Sequence, residues 1–191
     1  FNEIKDHLDQ IEEDILENLD IFKREKKESE FHLIETEPKR ERILKKYEVN
    51  LVVDNADTQG APVIIEHNPT YYNLMGRIEY AAQLGMMVTD FTMIKGGAIQ
   101  KANGGYLILQ VLDLLKDYFA WDALKKVLKH REVRIEDINE RFKIISTEGL
   151  KPQPIPVNVK VILVGPLYIY HLLYMYDEDF RKIFKVKADF D

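Results

Sequence analysis

Two short, strongly apolar runs, each followed by a helical pattern, constrain the fold of this chain more than any other feature. The first run covers residues 106–109 and the second covers residues 159–164. Strands of parallel sheets are buried on both faces, so they read as continuous apolar runs, and strands that alternate with helices are typical of α/β folds. The sequence therefore predicts an α/β core in which these two runs belong to one parallel sheet.

Several shorter patterns predict the elements around this core. Residues 49–53 and 62–66 flank turn-forming residues, which predicts a β-hairpin, and residues 133–135 and 142–145 are expected to pair as strands. Three alternate prolines, Pro152, Pro154 and Pro156, predict an extended loop. Helices are expected over 111–116, 121–130 and 167–176, and a final strand over 185–189.

The first 46 residues predict a helical arm, and residues 47–191 predict the α/β core. Ile4, Leu8, Ile11, Ile15 and Phe22 recur at three- and four-residue spacings over residues 1–30, which places them on one face of a helix. A further short helix is expected to end near Lys46. The arm either packs on its own domain or forms an antiparallel coiled-coil hairpin with an upstream helix. Because Phe1 already lies within this pattern, we expect the native amino terminus to lie upstream.

Composition limits the classes of function. The net charge of −6 argues against a nucleic-acid or anionic-membrane partner, because both require a basic surface. The chain has no cysteine, which rules out disulfides and thiolate metal sites and fits a cytoplasmic protein. No apolar run approaches the roughly 20 residues of a membrane span.

The search for catalytic motifs is mainly negative. The chain has no G-x-x-x-x-G-K-[ST] phosphate loop, and neither of its serines, Ser29 and Ser146, lies in a G-x-S-x-G motif. The five histidines have no ligand spacing, so no zinc site is expected. Three groups of acidic residues occur at predicted turns or strand ends, where we expect solvent to keep them from acting as catalytic acids: Asp54 with Asp57, Glu136 with Asp137, and residues 177–179.

Motifs in a fixed order give a more specific indication. The chain reads Y-E-V-N-L-V-V-D at 47–54, N-P-T-Y-Y-N-L-M-G-R-I-E at 68–79 and G-A-I-Q-K-A-N-G-G-Y-L-I-L at 97–109, with P-I-P at 154–156 following. This series resembles the AAA+ module of the Lon-like ATP-dependent proteases, specifically bacterial members with a helical insertion in the ATPase domain. The resemblance covers about residues 40–191 and implies a partial AAA+ P-loop-type core.

The resemblance also implies how the intact protein works. In that family the phosphate loop lies upstream of the helical insertion, and the serine and lysine of the peptidase lie downstream. We therefore expect ATP and magnesium as cofactors of the intact protein and no cofactor for this chain alone. The expected partners are unfolded protein substrates and further copies of the protein in a homo-oligomeric ring, with no membrane and no nucleic acid.

The resemblance places three sets of candidate residues. The paired acids of the Walker B motif hold magnesium and activate water, and the resemblance places them at Gln110 and Val111. Neither of these two residues is acidic. Asp113 is the nearest acid, and it suits the role of a helix N-cap equally well. Arg181 lies where an arginine finger is expected, although a surface cation is the simpler interpretation. Residues 80–91 correspond to the substrate-gripping pore loop, with candidates Met86, Met87 and Phe91, unless the methionines fill gaps in the core.

Two alternatives to a protease module stay open. Because Gln110 and Val111 are not acidic, the chain is alternatively part of a non-hydrolysing AAA+-like scaffold or chaperone-like interaction module. Nucleic-acid binding through Lys and Arg residues of the arm is a weaker alternative, given the acidic balance of the chain.

Overall fold

The computed structural model describes residues 2–22, 44–83, 86–136 and 150–190. The chain divides into two compact units, Phe1–Val49 and Asn50–Asp191. Among the described helices, none is both long enough and apolar enough to cross a lipid bilayer.

The first unit is helical. Helix α1 spans Asn2–Glu17 and helix α2 spans Leu19–Phe22, which confirms the predicted helix over those residues; residues 23–30 of the prediction lie outside the described ranges. The Asp14 carboxylate on α1 accepts hydrogen bonds from the Tyr47 hydroxyl and from the Lys46 ammonium. The hydrogen bond from Lys46, followed by that from Tyr47, lowers the pKa of Asp14 below its ordinary value. These contacts fix the segment around Tyr47 against α1.

The second unit contains nine described β-strands and six described α-helices, most of them short. Thr70, Asp90, Asp117 and Asp177 begin helical turns because their side chains accept hydrogen bonds from backbone N–H groups of the first turn. In chain order the elements are β1 (Val63–Glu66), α3 (Tyr71–Met75), β2 (Arg77–Ile78), β3 (Ala81–Gln83), β4 (Met86–Val88), a 3₁₀ turn (Phe91–Met93), β5 (Ile94–Lys95), α4 (Ala98–Lys101), β6 (Tyr106–Gln110), α5 (Val111–Leu115), α6 (Tyr118–His130), β7 (Glu132–Val133), β8 (Ile155–Pro156), β9 (Lys160–Val164), α7 (Leu167–Tyr176) and α8 (Glu178–Ile183).

A three-stranded parallel sheet lies at the centre of this unit. Its strand order is β1-β6-β9, with Ile65 beside Ile108 and Ile108 beside Ile162. The two apolar runs singled out in the sequence are thus neighbours in one parallel sheet, as predicted. The second unit is thus an α/β fold with small hairpins outside the main sheet.

The two faces of the sheet differ sharply in exposure. Leu107 and Leu109 of β6 are fully buried in a cluster that includes residues of α3, α4 and α6. On the opposite face, Val63 and Ile65 of β1 are 58% and 57% exposed, and Ile162 of β9 is 44% exposed. The described core therefore lies on one side of the sheet.

Asp117 connects two helices of the covered side. Its carboxylate accepts hydrogen bonds from the backbone N–H groups of Phe119 and Ala120, which begins α6. The same carboxylate accepts a bond of 2.8 Å from the N–H of Tyr71, the first residue of α3. One side chain therefore satisfies donors from both helices, and Trp121 and Leu124 of α6 are buried behind it.

Two predictions of β-structure are wrong, namely the hairpin of residues 49–53 with 62–66 and the final strand over 185–189. Residues 49–53 form no strand. The Asn50 side chain donates hydrogen bonds to the backbone carbonyls of Phe91 and Ile94, so a side-chain amide makes these contacts in place of backbone strand pairing. Residues 63–66 pair in parallel with β6, and no hairpin forms. Strand β7 pairs with β8, where a loop was predicted, and residues 142–145 lie outside the described ranges. Residues 185–189 follow α8 without strand pairing.

Candidate functional site

The carboxyl ends of β6 and β9 meet at one edge of the sheet, where α/β proteins commonly bind ligands. Gln110 ends β6 beside Val164, which ends β9. Gln110 is exposed, and its side chain makes no capping hydrogen bond to α5. The amide of Gln110 therefore faces solvent at this edge.

Val111 and Asp113 are placed differently from Gln110. Val111 is only 4% exposed, and a Cβ added to Gly165 would lie 2.2 Å from its Cγ1 atom. Asp113 lies within α5, and its carboxylate forms an ion pair of 2.6 Å with Lys116. The structure thus brings the three residues to one strand–helix junction without bringing together two carboxylates.

This donor set does not fit a magnesium ion. Mg²⁺ is held in proteins by carboxylates, phosphates and water in octahedral geometry. Here one neutral amide, one buried valine and one carboxylate already paired with a lysine occupy the expected positions. In the described part of the chain, no three His, Asp or Glu side chains lie close enough to share a metal ion.

A two-part hairpin projects between α3 and α4. Its base is the antiparallel pair β2–β5, and its outer part is the antiparallel pair β3–β4, in which Ala82 lies opposite Met87. Between them the hydroxyl of Thr89 donates to the carbonyl of Glu79 over 2.7 Å. Strands β2 to β5 therefore form one projection that leaves the core after α3 and returns to it before α4.

The predicted pore-loop residues are distributed along this hairpin. Met87 is 65% exposed on β4, so it does not fill a gap in the core. Phe91 is half-buried in the 3₁₀ turn that follows β4, where its carbonyl accepts from Asn50. The backbone of Met86 lies in β4, while its side chain lies outside the described part of the structure.

The base of the hairpin is pinned to the core by a buried glutamine. Gln100 is 4% exposed; its Nε2 donates to the carbonyl of Met75 over 2.7 Å, and its Oε1 accepts from Gly97 N over 2.9 Å. A Cβ on Gly97 would lie 2.3 Å from the carbonyl oxygen of Leu74. Gly76 has a φ of 89°, a region that L side chains rarely adopt. The two ends of the hairpin therefore touch, and the glutamine bonds to both.

Sequence reasoning passed over Gln100 although a signal exists. Gln100 stands three residues after Gly97, at the spacing at which a side chain of a helical first turn reaches back to the N-cap N–H. Its second bond, to Met75, depends on tertiary structure and has no local sequence signal.

Arg181 lies on α8, which is anchored to the covered side of the sheet. Phe180 is buried, and its ring lies 6.4 Å from that of Trp121 on α6. Arg181 itself is exposed, and its guanidinium carbon lies 5.7 Å from the centre of the Tyr174 ring. Among the described residues no carboxylate pairs with Arg181, so its charge is available to an anion from outside the chain.

Asp177 ties α6 to the start of α8. Its Oδ2 accepts from Trp121 Nε1 over 2.9 Å and from Lys125 Nζ over 2.7 Å, while its Oδ1 accepts from the N–H groups that begin α8. Burial opposes the charged form, but the bonds from Lys125, Trp121 and the Phe180 N–H outweigh it and lower the pKa of Asp177.

The expectation that solvent would leave these turn acids unaffected is wrong for two of them. The pKa of Asp177 is lowered, and the hydrogen bond from Lys129 lowers that of Asp179. The reason is that the turn packs against the basic side of α6, which the local sequence does not reveal. Both carboxylates make hydrogen bonds that connect α6 to α8, and these bonds favour the ionised form. A general acid has to carry a proton, so neither carboxylate is suited to that role. Asp137 lies outside the described ranges.

Comparison with known proteins identifies the family. The family model described as "LonB-like, AAA domain" matches residues 59–191, which is more than two-thirds of the chain. A comparison with curated proteins found no match. Among solved structures, NtrX from Brucella abortus aligns with 17% identity and a TM-score of 0.44 over 66% of this chain; the aligned part is 26% of the NtrX chain. On the family match, this chain belongs to the family of LonB-like AAA domains.

Proposed function

We propose that this chain is part of the ATPase module of a Lon-like ATP-dependent serine protease, in which residues 47–191 form a partial AAA+ core and residues 1–46 form part of a helical insertion arm. The observation that carries the proposal is the hairpin of residues 77–95. It leaves the parallel core of a LonB-like AAA domain between α3 and α4, is pinned at its base by Gln100 and exposes Met87 near its outer end.

The hairpin is suited to gripping unfolded polypeptide. Met87 presents a flexible apolar side chain, which contacts many sequences without selecting one. The clamp at Gln100 and Gly97 transmits force between the hairpin and the core, because the two ends cannot separate without breaking buried hydrogen bonds. Met86, beside Met87 on the same strand, is proposed to share this role, and Phe91 supports the 3₁₀ turn below it.

The other candidate residues take positioning and electrostatic roles in this proposal. AAA domains are nucleotide-binding modules, and AAA+ proteins commonly assemble as rings that act on proteins. Arg181, exposed and without a carboxylate partner in the described ranges, is proposed to contact the nucleotide phosphates held by a neighbouring copy. ATP supplies the driving energy, while the magnesium ligands must come from residues other than Gln110, Val111 and Asp113.

The test uses the parent protein that carries this chain. We expect it to bind ATP and to degrade an unfolded protein such as casein only when ATP is present. Met87→Asp should reduce casein degradation about tenfold or more, because a carboxylate does not hold apolar polypeptide, and ATP hydrolysis without substrate should be unchanged. Met87→Leu, the matched control, should retain degradation.

Either of two results would reject the proposal. One is a parent protein that fails to bind ATP or leaves casein intact in its presence. The other is a Met87→Asp variant that degrades casein at the rate of the unaltered protein. The 191-residue chain alone is expected to show neither ATPase nor peptidase activity, since it lacks a phosphate loop and the serine–lysine pair.

A second candidate is a non-hydrolysing AAA+-like scaffold. It is favoured by the buried Val111 and by the pairing of Asp113 with Lys116, which leave no free carboxylate at the junction. Gln110→Asp in the parent protein separates the two functions, because Gln110 is exposed and tolerates the change. A rise in ATPase rate of about tenfold or more supports the scaffold, whereas an unchanged, already substantial rate supports the protease.

A further inference from the structure

The hairpin of residues 77–95 is fastened at a second place besides the clamp at Gln100. This second place lies on its returning limb, residues 91–96, which contains the 3₁₀ turn and β5. There the Nδ2 amide of Asn50 donates to the carbonyl of Phe91 over 2.8 Å and to the carbonyl of Ile94 over 2.9 Å. One side-chain amide therefore holds both the turn and the strand that follows it.

The carbonyl of Ile94 is directed toward Asn50 by the pairing of β2 with β5. Ile94 lies opposite Ile78, and the neighbouring hydrogen bond between the two limbs runs from the Glu79 N–H to the Met93 carbonyl over 3.0 Å. In an antiparallel pair, residues that do not exchange hydrogen bonds with each other direct their N–H and C=O groups away from the partner strand. The amide of Asn50 thus takes the place beside β5 that a neighbouring strand would occupy.

The segment that carries Asn50 also packs against the returning limb. A Cβ added to Gly96 would lie 2.9 Å from the Cγ1 atom of Val52 and 2.9 Å from the carbonyl oxygen of Val52. Only a glycine therefore leaves room for this segment. Asn50 and Val52 are both half-buried, and all of these residues belong to the second unit, so the contact is internal to the core.

We infer that Asn50 is a positioning residue for substrate gripping, because it fixes the direction in which the hairpin projects. A projection that is fastened only at its base pivots there, whereas a second fastening farther along removes the pivot. Gln100 supplies the first fastening and Asn50 supplies the second. Pivoting would displace Met87, which is exposed on the outer pair of strands, more than the residues at the base. The inference rests on the proposed function, in which Met87 grips unfolded polypeptide.

A purely structural role for Asn50 predicts a different outcome. If its bonds only stabilised the fold, their loss would lower the amount of active protein, and ATP hydrolysis and degradation would fall together. If Asn50 positions the hairpin, ATP is still hydrolysed and less substrate is moved for each ATP. The amount of casein cleaved per ATP hydrolysed therefore separates the two roles, because a folded protein with a misplaced grip lowers this ratio.

The experiment compares two asparagines in the parent protein. Asn50→Asp keeps the size of the side chain and replaces the donating amide by a carboxylate, which repels the carbonyls of Phe91 and Ile94. We expect the casein cleaved per ATP hydrolysed to fall about fivefold or more. Asn55→Asp is the matched control, because Asn55 is exposed and its bond to the Lys101 carbonyl is long, at 3.4 Å. It should keep the ratio within about twofold of the unaltered protein.

Hydrogen exchange measured by mass spectrometry on the same proteins tests the position of the hairpin directly. Asn50→Asp should raise exchange in peptides covering residues 91–95 about tenfold, while peptides covering β6 keep their protection. Asn50→Leu removes the donors without adding a charge, and it should change exchange in the same direction.

Three results would overturn the inference: unchanged exchange at residues 91–95, an unchanged ratio despite raised exchange there, or a rise that extends to β6, which would make the role of Asn50 structural. Met87→Asp reports on the proposed function separately. If that variant also leaves degradation unchanged, the proposed function fails, and the exchange rates still decide whether Asn50 holds the hairpin.

Discussion

The two faces of the central sheet carry the same kinds of side chain and have opposite environments. Leu107 and Leu109 are fully buried, whereas Val63 and Ile65, from the neighbouring strand, are more than half exposed. Parallel sheets are normally covered on both faces, so an exposed β-branched face is a surface that further protein is expected to cover. The comparison teaches that an apolar strand predicts a sheet but not which of its faces is covered.

The largest effect is expected on the covered face. Leu109→Ala removes a fully buried side chain and leaves a cavity, which should lower the free energy of unfolding by about 2–5 kcal/mol. Ile65→Ala on the open face is the matched control and should cost less than about 1 kcal/mol, because more than half of its surface is already in water. Urea unfolding measures both, and equal losses would contradict the contrast between the faces.

A smaller loss is expected where helices are fastened on the covered side. Asp177→Asn removes the charge that holds Lys125 and Trp121, so it should lower the free energy of unfolding by about 1–3 kcal/mol. Asp122→Asn, in the exposed pair of Asp122 with Lys126, is the control and should change it by less than about 0.5 kcal/mol. Thermal unfolding of the two variants would refute this ranking if Asp122→Asn were the more damaging.

Acid should destabilise the unaltered chain more than the Asp177→Asn variant. The folded state lowers the pKa of Asp177 below the ordinary value of 3.8, so the unfolded state binds the proton more tightly. The stability that this carboxylate provides is therefore present above that value and is lost as the pH falls through the lowered pKa. Unfolding by urea at several pH values below about 5 should show a shallower decline for Asp177→Asn, and parallel declines would disprove the role of this carboxylate.

The smallest effect on stability is expected on the open face. Ile65→Thr and Ile162→Thr keep the β-branched shape that suits a strand, so each should change the free energy of unfolding by less than about 0.5 kcal/mol. Because the open face is apolar, the double variant should also reduce self-association, which light scattering measures. A loss of stability as large as that of Leu109→Ala would show that this face is covered in solution.

Patterns of continuous apolar residues predicted the central elements well. Strands β6 and β9 and helices α6 and α7 lie where the sequence places them, because each is formed by an apolar run or a helical pattern that is evident locally. Short elements were predicted poorly. The pairing of β7 with β8 joins residues more than twenty positions apart, and two-residue strands carry too little pattern to reveal it.

The candidate site was predictable only in part. The sequence places Gln110, Val111 and Asp113 at or just after the end of β6, but it gives no sign of the close approach between Val111 and Gly165, which follows β9. The exposure of Met87 likewise depends on where the hairpin projects, since a methionine serves a core and a surface equally well. Such contacts between distant segments have no local signal.

The clamp at the base of the hairpin has a consequence for how such a domain can vary. Gln100 and Gly97 hold the two ends of residues 77–95 together. The chain therefore leaves and re-enters the core at the same two positions, whatever sequence lies between them. The entropy of closing a loop grows only with the logarithm of its length. Relatives of this domain are thus free to lengthen, shorten or rewrite the excursion, acquiring new contact preferences while the sheet beneath stays as it is.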